Sequence, residues 1–235
     1  MSEDLRVDRA FLDTNVLINV VSGSKKGKEM LSLLKEEGFE IYIFSKSIYE
    51  IYSLLKGITK KKTSKHPLKY LVPKELNDIA QKIFKDTKID MSSTSYYWYN
   101  MSEEWSDNEN LSKEAKEFRI WKNKIKQAFS KVNKAIDDSG LNICEYIHLY
   151  KSKWYLGEGF ILEQNLAWDS LIPNEDFELI LAALYLNTRV FITNDKDILK
   201  QGGLSLGLNS SSISFCSQKS LQQAINDKFS QRVYI

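Results

Sequence analysis

Apolar positions fall in short unbroken runs near both ends of the chain, with helical spacing between those runs. Arg9 to Asp13 reads as a strand that ends on a carboxylate, followed by a turn and an apolar helix start at Val16-Leu17-Ile18. GKEMLSLLKEE, Gly27 to Glu37, has helical spacing and ends before Gly38, a usual stop residue. FEIYIF, Phe39 to Phe44, is dense in β-branched and aromatic residues and predicts a buried strand. Ser45 then caps a helix over SKSIYEIYSLLKG, with Ile48, Ile51, Tyr52 and Leu55 as its apolar face and Gly57 as its stop. After Pro173 the pattern resumes as a helix over NEDFELILAALYLN, the strand RVFITND and a short helix from Lys196. A strand at SISFCS and a last helix around SLQQAINDKF follow.

Strands that alternate with helices predict a parallel sheet. The expected fold is three-layer α/β/α, with a parallel sheet of four or five strands. Residues 1–59 and 172–235 would form this core. Residues 60–171 do not alternate and read as a mostly helical insertion. Within it, Phe118, Trp121, Ile125, Phe129, Val132 and Ile136 fall at helical spacing with lysines opposite, and a second helix-like stretch surrounds Leu141 to Trp154.

Charge changes this picture locally. The net charge is only +2, so the total points to no particular partner. Lys56 to Lys74 carries seven lysines and no acid, and Lys113 to Lys134 holds eight basic residues against Glu114 and Glu117. Two such segments, with Lys60, Lys61, Lys62, Lys122 and Lys126 as the chosen contacts, suit a phosphate backbone. Lysines that merely solubilise a surface fit either segment equally well. Cys144 and Cys216 are too few for a disulfide framework or a zinc site and read as buried thiols of a reducing cytoplasm. The charged start MSEDLRVDRA is unlike a signal peptide, and no apolar run reaches membrane-spanning length, so no membrane partner is expected.

The chemistry lies in the acids. A carboxylate at the end of a buried strand is costly unless something pairs with it or binds it. Ligands of parallel α/β sheets bind outside the carboxyl ends of the strands. Asp13 ends the first strand there, and Asp195, with Asp197 beyond it, follows RVFIT. Glu50 lies on the helix after the second strand, and Asp176 and Glu178 lie in the first turn of the helix before RVFIT. Acids from four elements converging on one edge would repel one another unless cations bound among them, and oxygen-only ligands suit Mg²⁺ or Mn²⁺. Each acid also has an ordinary structural alternative: a helix cap at Asp13, a solvent-facing Glu50, a helix-dipole partner at Asp176, a turn at Asp195 and Asp197. Their joint occurrence at corresponding ends of successive elements favours the metal site.

Other motifs fail. Gly202-Gly203 and Gly157-Glu158-Gly159 lack the spacing and context of a phosphate loop. His66 and His148 leave few options for a triad, and His148 reads as a structural residue on an apolar helix. A haloacid-dehalogenase-type phosphatase would want a second Asp where Asn15 stands. Tyr96 to Tyr99, with Trp98 among them, reads first as packing and second as a surface for stacking bases.

FLDTNVLI, Ser45 and Glu50 in FSKSIYEIYSLL, EDFELILAALYL and FITNDKDIL together resemble the PIN domain nucleases, over about half of the chain. The resemblance implies a metal-dependent ribonuclease or flap-type nuclease, with metal-activated water as nucleophile and RNA as the substrate. Asp13 and Asp195 would bind Mg²⁺ or Mn²⁺, and Glu50 and an acid of the penultimate helix would complete the site. Asn15 and Thr193 look like the family's supporting polar residues, and Asp197 is grouped with them. Counting back from Ala182-Ala183 puts the third acid on Glu178, where Asp is usual; Asp176 has the usual side chain and is preferred as metal ligand. This departure makes a PIN-like scaffold that binds RNA or protein without cutting the main rival. A toxin paired with a protein inhibitor is the third reading, weakened by the length of the chain.

Overall fold

A computed structural model of the chain describes residues 7–61, 67–71, 113–153, 155–160, 174–202 and 213–232. Five strands form one sheet: β1 (Arg9–Leu12), β2 (Glu40–Phe44), β3 (Asn142–Cys144), β4 (Val190–Ile192) and β5 (Ser214–Cys216). Every pairing is parallel and the order is β3-β2-β1-β4-β5. The helices are α1 (Thr14–Val21), α2 (Lys25–Glu36), α3 (Ser45–Lys61), α4 (Lys113–Asp138), α5 (Tyr146–Tyr150), α6 (Asn174–Tyr185), α7 (Lys196–Gly202) and α8 (Leu221–Arg232). The fold is α/β with a single all-parallel sheet between helices, a three-layer arrangement.

Alternation along the strands assigns the two faces. Phe11, Phe191 and Phe215 are neighbours in the register and stack in a row, with centroids 5.4 and 5.2 Å apart. Phe44 and Cys144 extend that face, and Phe177 to Leu184 of α6 cover it together with Leu149 of α5. Ala10, Leu12, Ile41, Ile43, Val190 and Ile192 alternate onto the other face and are all buried. Burial on both faces over most of β1, β2 and β4 explains why those strands read as largely apolar runs.

Three local readings change. The stretch around Leu141 to Trp154, expected as helix, contains the edge strand β3 before the short α5. Three apolar residues are too few for periodicity to separate strand from helix. Gly57 does not stop α3, which continues to Lys61; a glycine inside a helix costs about 1 kcal/mol and does not by itself end it. His148, read as a structural residue on an apolar helix, is exposed on α5. Elsewhere α6 closes as its composition suggests, with Asn187 in the left-handed conformation just beyond its end.

The chain divides into two compact units, residues 1–48 with 136–235, and residues 49–135. The first contains the whole sheet. In the second, among the described side chains of α4, Trp121, Ile125, Ala128 and Val132 are buried and Phe129 half-buried, at helical spacing. Tyr52 stacks on Phe129 at 4.1 Å, and its hydroxyl donates to Asn133.

Candidate functional site at the carboxyl edge of the sheet

Strand order turns around between β1 and β4. From β1 the chain adds β2 and β3 to one side; β4 and β5 then continue from the other side of β1. The crevice outside the carboxyl ends at such a reversal is where open parallel sheets bind ligands. The topology thus singles out the residues that follow Leu12 and Ile192, which are Asp13 and Thr193.

Asp13 is only 4% exposed, and it begins α1 as its N-cap. Its N–H continues the ladder to the Ile192 carbonyl at 3.0 Å, so the carboxylate stands directly beside the end of β4. Oδ1 accepts from the Thr14 N–H. Oδ2 accepts from the Asn15 side-chain amide and from the Thr193 hydroxyl, the latter at 2.6 Å. Thr193, fully buried, also accepts from the Asp195 N–H at 2.9 Å. One hydroxyl therefore bridges the strand-end acid and the backbone of the second acid.

Asn15 closes the ring, because its side-chain oxygen accepts from the Asn194 N–H at 3.0 Å. Asp195 is partly buried and caps α7: its Oδ1 accepts from the N–H groups of Asp197 at 2.7 Å and Ile198 at 3.3 Å. Asp197 joins this network through its backbone, and its side chain is exposed.

The remaining predicted residues come from other elements. Glu178, on α6, makes an ion pair with Lys46 at 2.6 Å and accepts from the Tyr150 hydroxyl at 3.3 Å. Asp176 lies in the first turn of α6, partly buried. Glu50 belongs to the second unit, on α3, also partly buried. Lys122 and Lys126 lie half-buried on α4. Lys62 and Tyr96 to Tyr99 lie outside the described residues, as do the side chains of Lys60 and Lys61.

Sequence reasoning missed three polar groups at this edge. Lys46 follows the end of β2, and Tyr150 reaches Glu178 from α5. Gln218, just beyond β5, accepts from the side-chain amides of both Asn19 and Asn194, at 2.9 and 3.1 Å. The signal that could have found Lys46 and Gln218 is the one that found Asp13: a polar residue one or two places after a buried strand.

Among the described residues, no three His, Cys, Asp or Glu side chains come together as a group that would hold an ion. Mg²⁺ is nonetheless commonly bound through one or two carboxylates, with its other positions given to water and substrate phosphate. Asp13 and Asp195, oxygen donors joined through Thr193, fit that chemistry in kind. No protein-family model, curated protein or solved structure matches the chain.

Proposed function

We propose that the protein is a metal-dependent nuclease of PIN type, hydrolysing phosphodiester bonds in RNA at the carboxyl edge of β1 and β4. The observation that carries this reading is the Thr193 hydroxyl, which ties the buried Asp13 carboxylate to Asp195 where the strand order reverses. A divalent cation such as Mg²⁺ or Mn²⁺, held by Asp13 and Asp195, would polarise a phosphate oxygen and lower the pKa of water.

The side chains of the chain supply the rest. Asn15 and Thr193 hold Asp13 Oδ2 in one orientation, as supporting hydrogen bonds do for metal-ligating carboxylates. The first turn of α7 fixes Oδ1 of Asp195 and so orients its carboxylate. The lysine-rich α4, with Lys122 and Lys126, carries the charge that suits a phosphate backbone. Cys144 and Cys216, both buried and in no disulfide, suit a reducing cytoplasm.

A second reading has one observation behind it. Lys46 already neutralises Glu178, a candidate third acid, which suits a scaffold that binds RNA without cutting it.

The test is incubation of the purified protein with single-stranded RNA and DNA in Mg²⁺, Mn²⁺ or EDTA, beside Asp13→Asn and Asp195→Asn. Both replacements keep the side-chain shape, and Asn still caps a helix. The nuclease reading expects cleavage only with metal, reduced about a hundredfold or more in each variant. Binding of RNA without cleavage in any metal would favour the scaffold.

A further inference from the structure

Five aromatic rings form a continuous ladder from the core to the surface of the sheet-bearing unit. It starts at the fully buried Phe44, at the end of β2. Tyr146 stacks on Phe44 at 6.0 Å, Tyr150 lies 4.3 Å from Tyr146, Tyr155 lies 4.4 Å from Tyr150, and Phe160 lies 6.4 Å from Tyr155. The Phe44–Tyr146 and Tyr155–Phe160 spacings are those of attractive ring pairs, and Tyr150 sits in close contact with both of its neighbours.

Backbone bonds lock the rungs in place. The Tyr146 N–H donates to the Ser45 hydroxyl at 3.1 Å, and the Tyr155 N–H donates to the Ser152 hydroxyl at 3.0 Å. Two members are open to solvent: Tyr146, directly on Phe44, is 49% exposed, and Phe160, at the far end, is 52% exposed. Both acceptable roles for such rings, packing and binding, begin from this point, and burial separates them. Packing accounts for one side of each of these two rings and leaves the exposed side to a partner.

Charge and position indicate the occupant. Lys151 and Lys153, both exposed, interleave with the tyrosines, and His148 is exposed on α5; among the described side chains of residues 145–160, Glu145 is the exposed acid. The ladder follows β3 at the carboxyl edge of the sheet, the edge that carries Asp13 and Thr193. From it Tyr150 donates to Glu178 of α6, which pairs with Lys46 just beyond β2. Exposed rings interleaved with cations suit unpaired bases with their phosphates, because every base has a face to stack while a duplex hides its faces.

We infer that Tyr146 and Phe160 are stacking platforms that hold an unpaired stretch of nucleic acid at the carboxyl edge of the sheet. The inference rests on the nuclease reading for its strand but not for its test. Fluorescence anisotropy in EDTA, with labelled single-stranded RNA, single-stranded DNA and duplex RNA, measures binding with cleavage switched off. Wild type is expected to prefer either single strand over duplex. Tyr146→Ala and Phe160→Ala are expected each to weaken single-strand binding about fivefold or more, while Tyr146→Phe, which keeps the ring, binds as wild type does.

Phe160→Ala lies at the exposed end of the ladder and guards against loss of folding in Tyr146→Ala. Equal binding of single strand and duplex, no binding of either, or alanine variants that bind as tightly as wild type would each overturn the inference. A wild type that cleaves RNA while the alanine variants bind normally would overturn the platform alone. Selective binding lost in those variants, with no cleavage in any metal, would overturn the nuclease and leave the platform standing.

Discussion

Thr193 is the residue on which the edge of the sheet depends most. It is fully buried, donates to one acid and accepts from the backbone of another. Thr193→Val preserves the shape and removes the hydroxyl, leaving a carboxylate oxygen and an N–H each short of a partner. Chemical denaturation should read a loss of about 2 kcal/mol or more, whereas Thr193→Ser should lose much less. A valine variant as stable as the serine one would mean that the bridge contributes nothing. The position of Asp13 was legible from sequence because a lone carboxylate in an apolar run is conspicuous. Thr193 was legible only through the family resemblance. The place of Lys46 just beyond β2 was legible, but its partner was not: nothing about a lysine on an amphipathic helix announces an ion pair with a glutamate far along the chain.

At the scale of elements, helix α2 packs on α1 through a glycine. A Cβ at Gly27 would lie 2.4 Å from the Asn19 carbonyl oxygen and 2.9 Å from the Val20 nitrogen, both backbone atoms that cannot swing aside. Gly27→Ala should therefore force the two helices apart and cost about 3 kcal/mol. Gly38→Ala is the useful contrast. A Cβ there meets nothing, but φ is +75°, so the cost should be about 1 kcal/mol, from the left-handed backbone alone. Thermal unfolding of both variants measures the difference; an unchanged midpoint for Gly27→Ala would refute the close approach. The spacing of α2 and the stop at Gly38 were readable from local pattern. The close approach at Gly27 was not, because its reason lies in another helix.

The folded molecule as a whole holds a proton at Cys144 more tightly than the unfolded chain does. Burial at the edge strand pushes the thiol from its ordinary 9.0 up to about 11, and the neighbouring Glu145 carboxylate adds to the rise. A group whose pKa is raised by folding contributes stability that is complete below the unfolded value and disappears as pH climbs through the folded one. The unfolding midpoint should therefore fall between about pH 9 and 11, and Cys144→Ala should flatten part of that fall. Tyr42, whose hydroxyl is also raised, by burial first and by its bond to Glu40 next, adds to the alkaline loss in the same direction. If the slope of stability against pH were identical with and without the thiol, burial of Cys144 would carry no such linkage.

Local order determined most of the architecture. Apolar runs bounded by glycine, serine and asparagine specified β1, β2, β4 and β5 and their helices, because a fully buried parallel strand must be apolar throughout and a helix that covers it must be apolar on one side. The same reasoning put Asp13 and Asp195 at strand ends. What only the tertiary structure decided is adjacency: that β3, three residues long, joins the sheet beside β2, that the order reverses between β1 and β4, and that one threonine hydroxyl spans two acids. Neither the register of distant strands nor the partner of a buried hydroxyl is encoded in any short window. Both follow from which apolar faces can be covered at once, and that is a property of the whole folded chain.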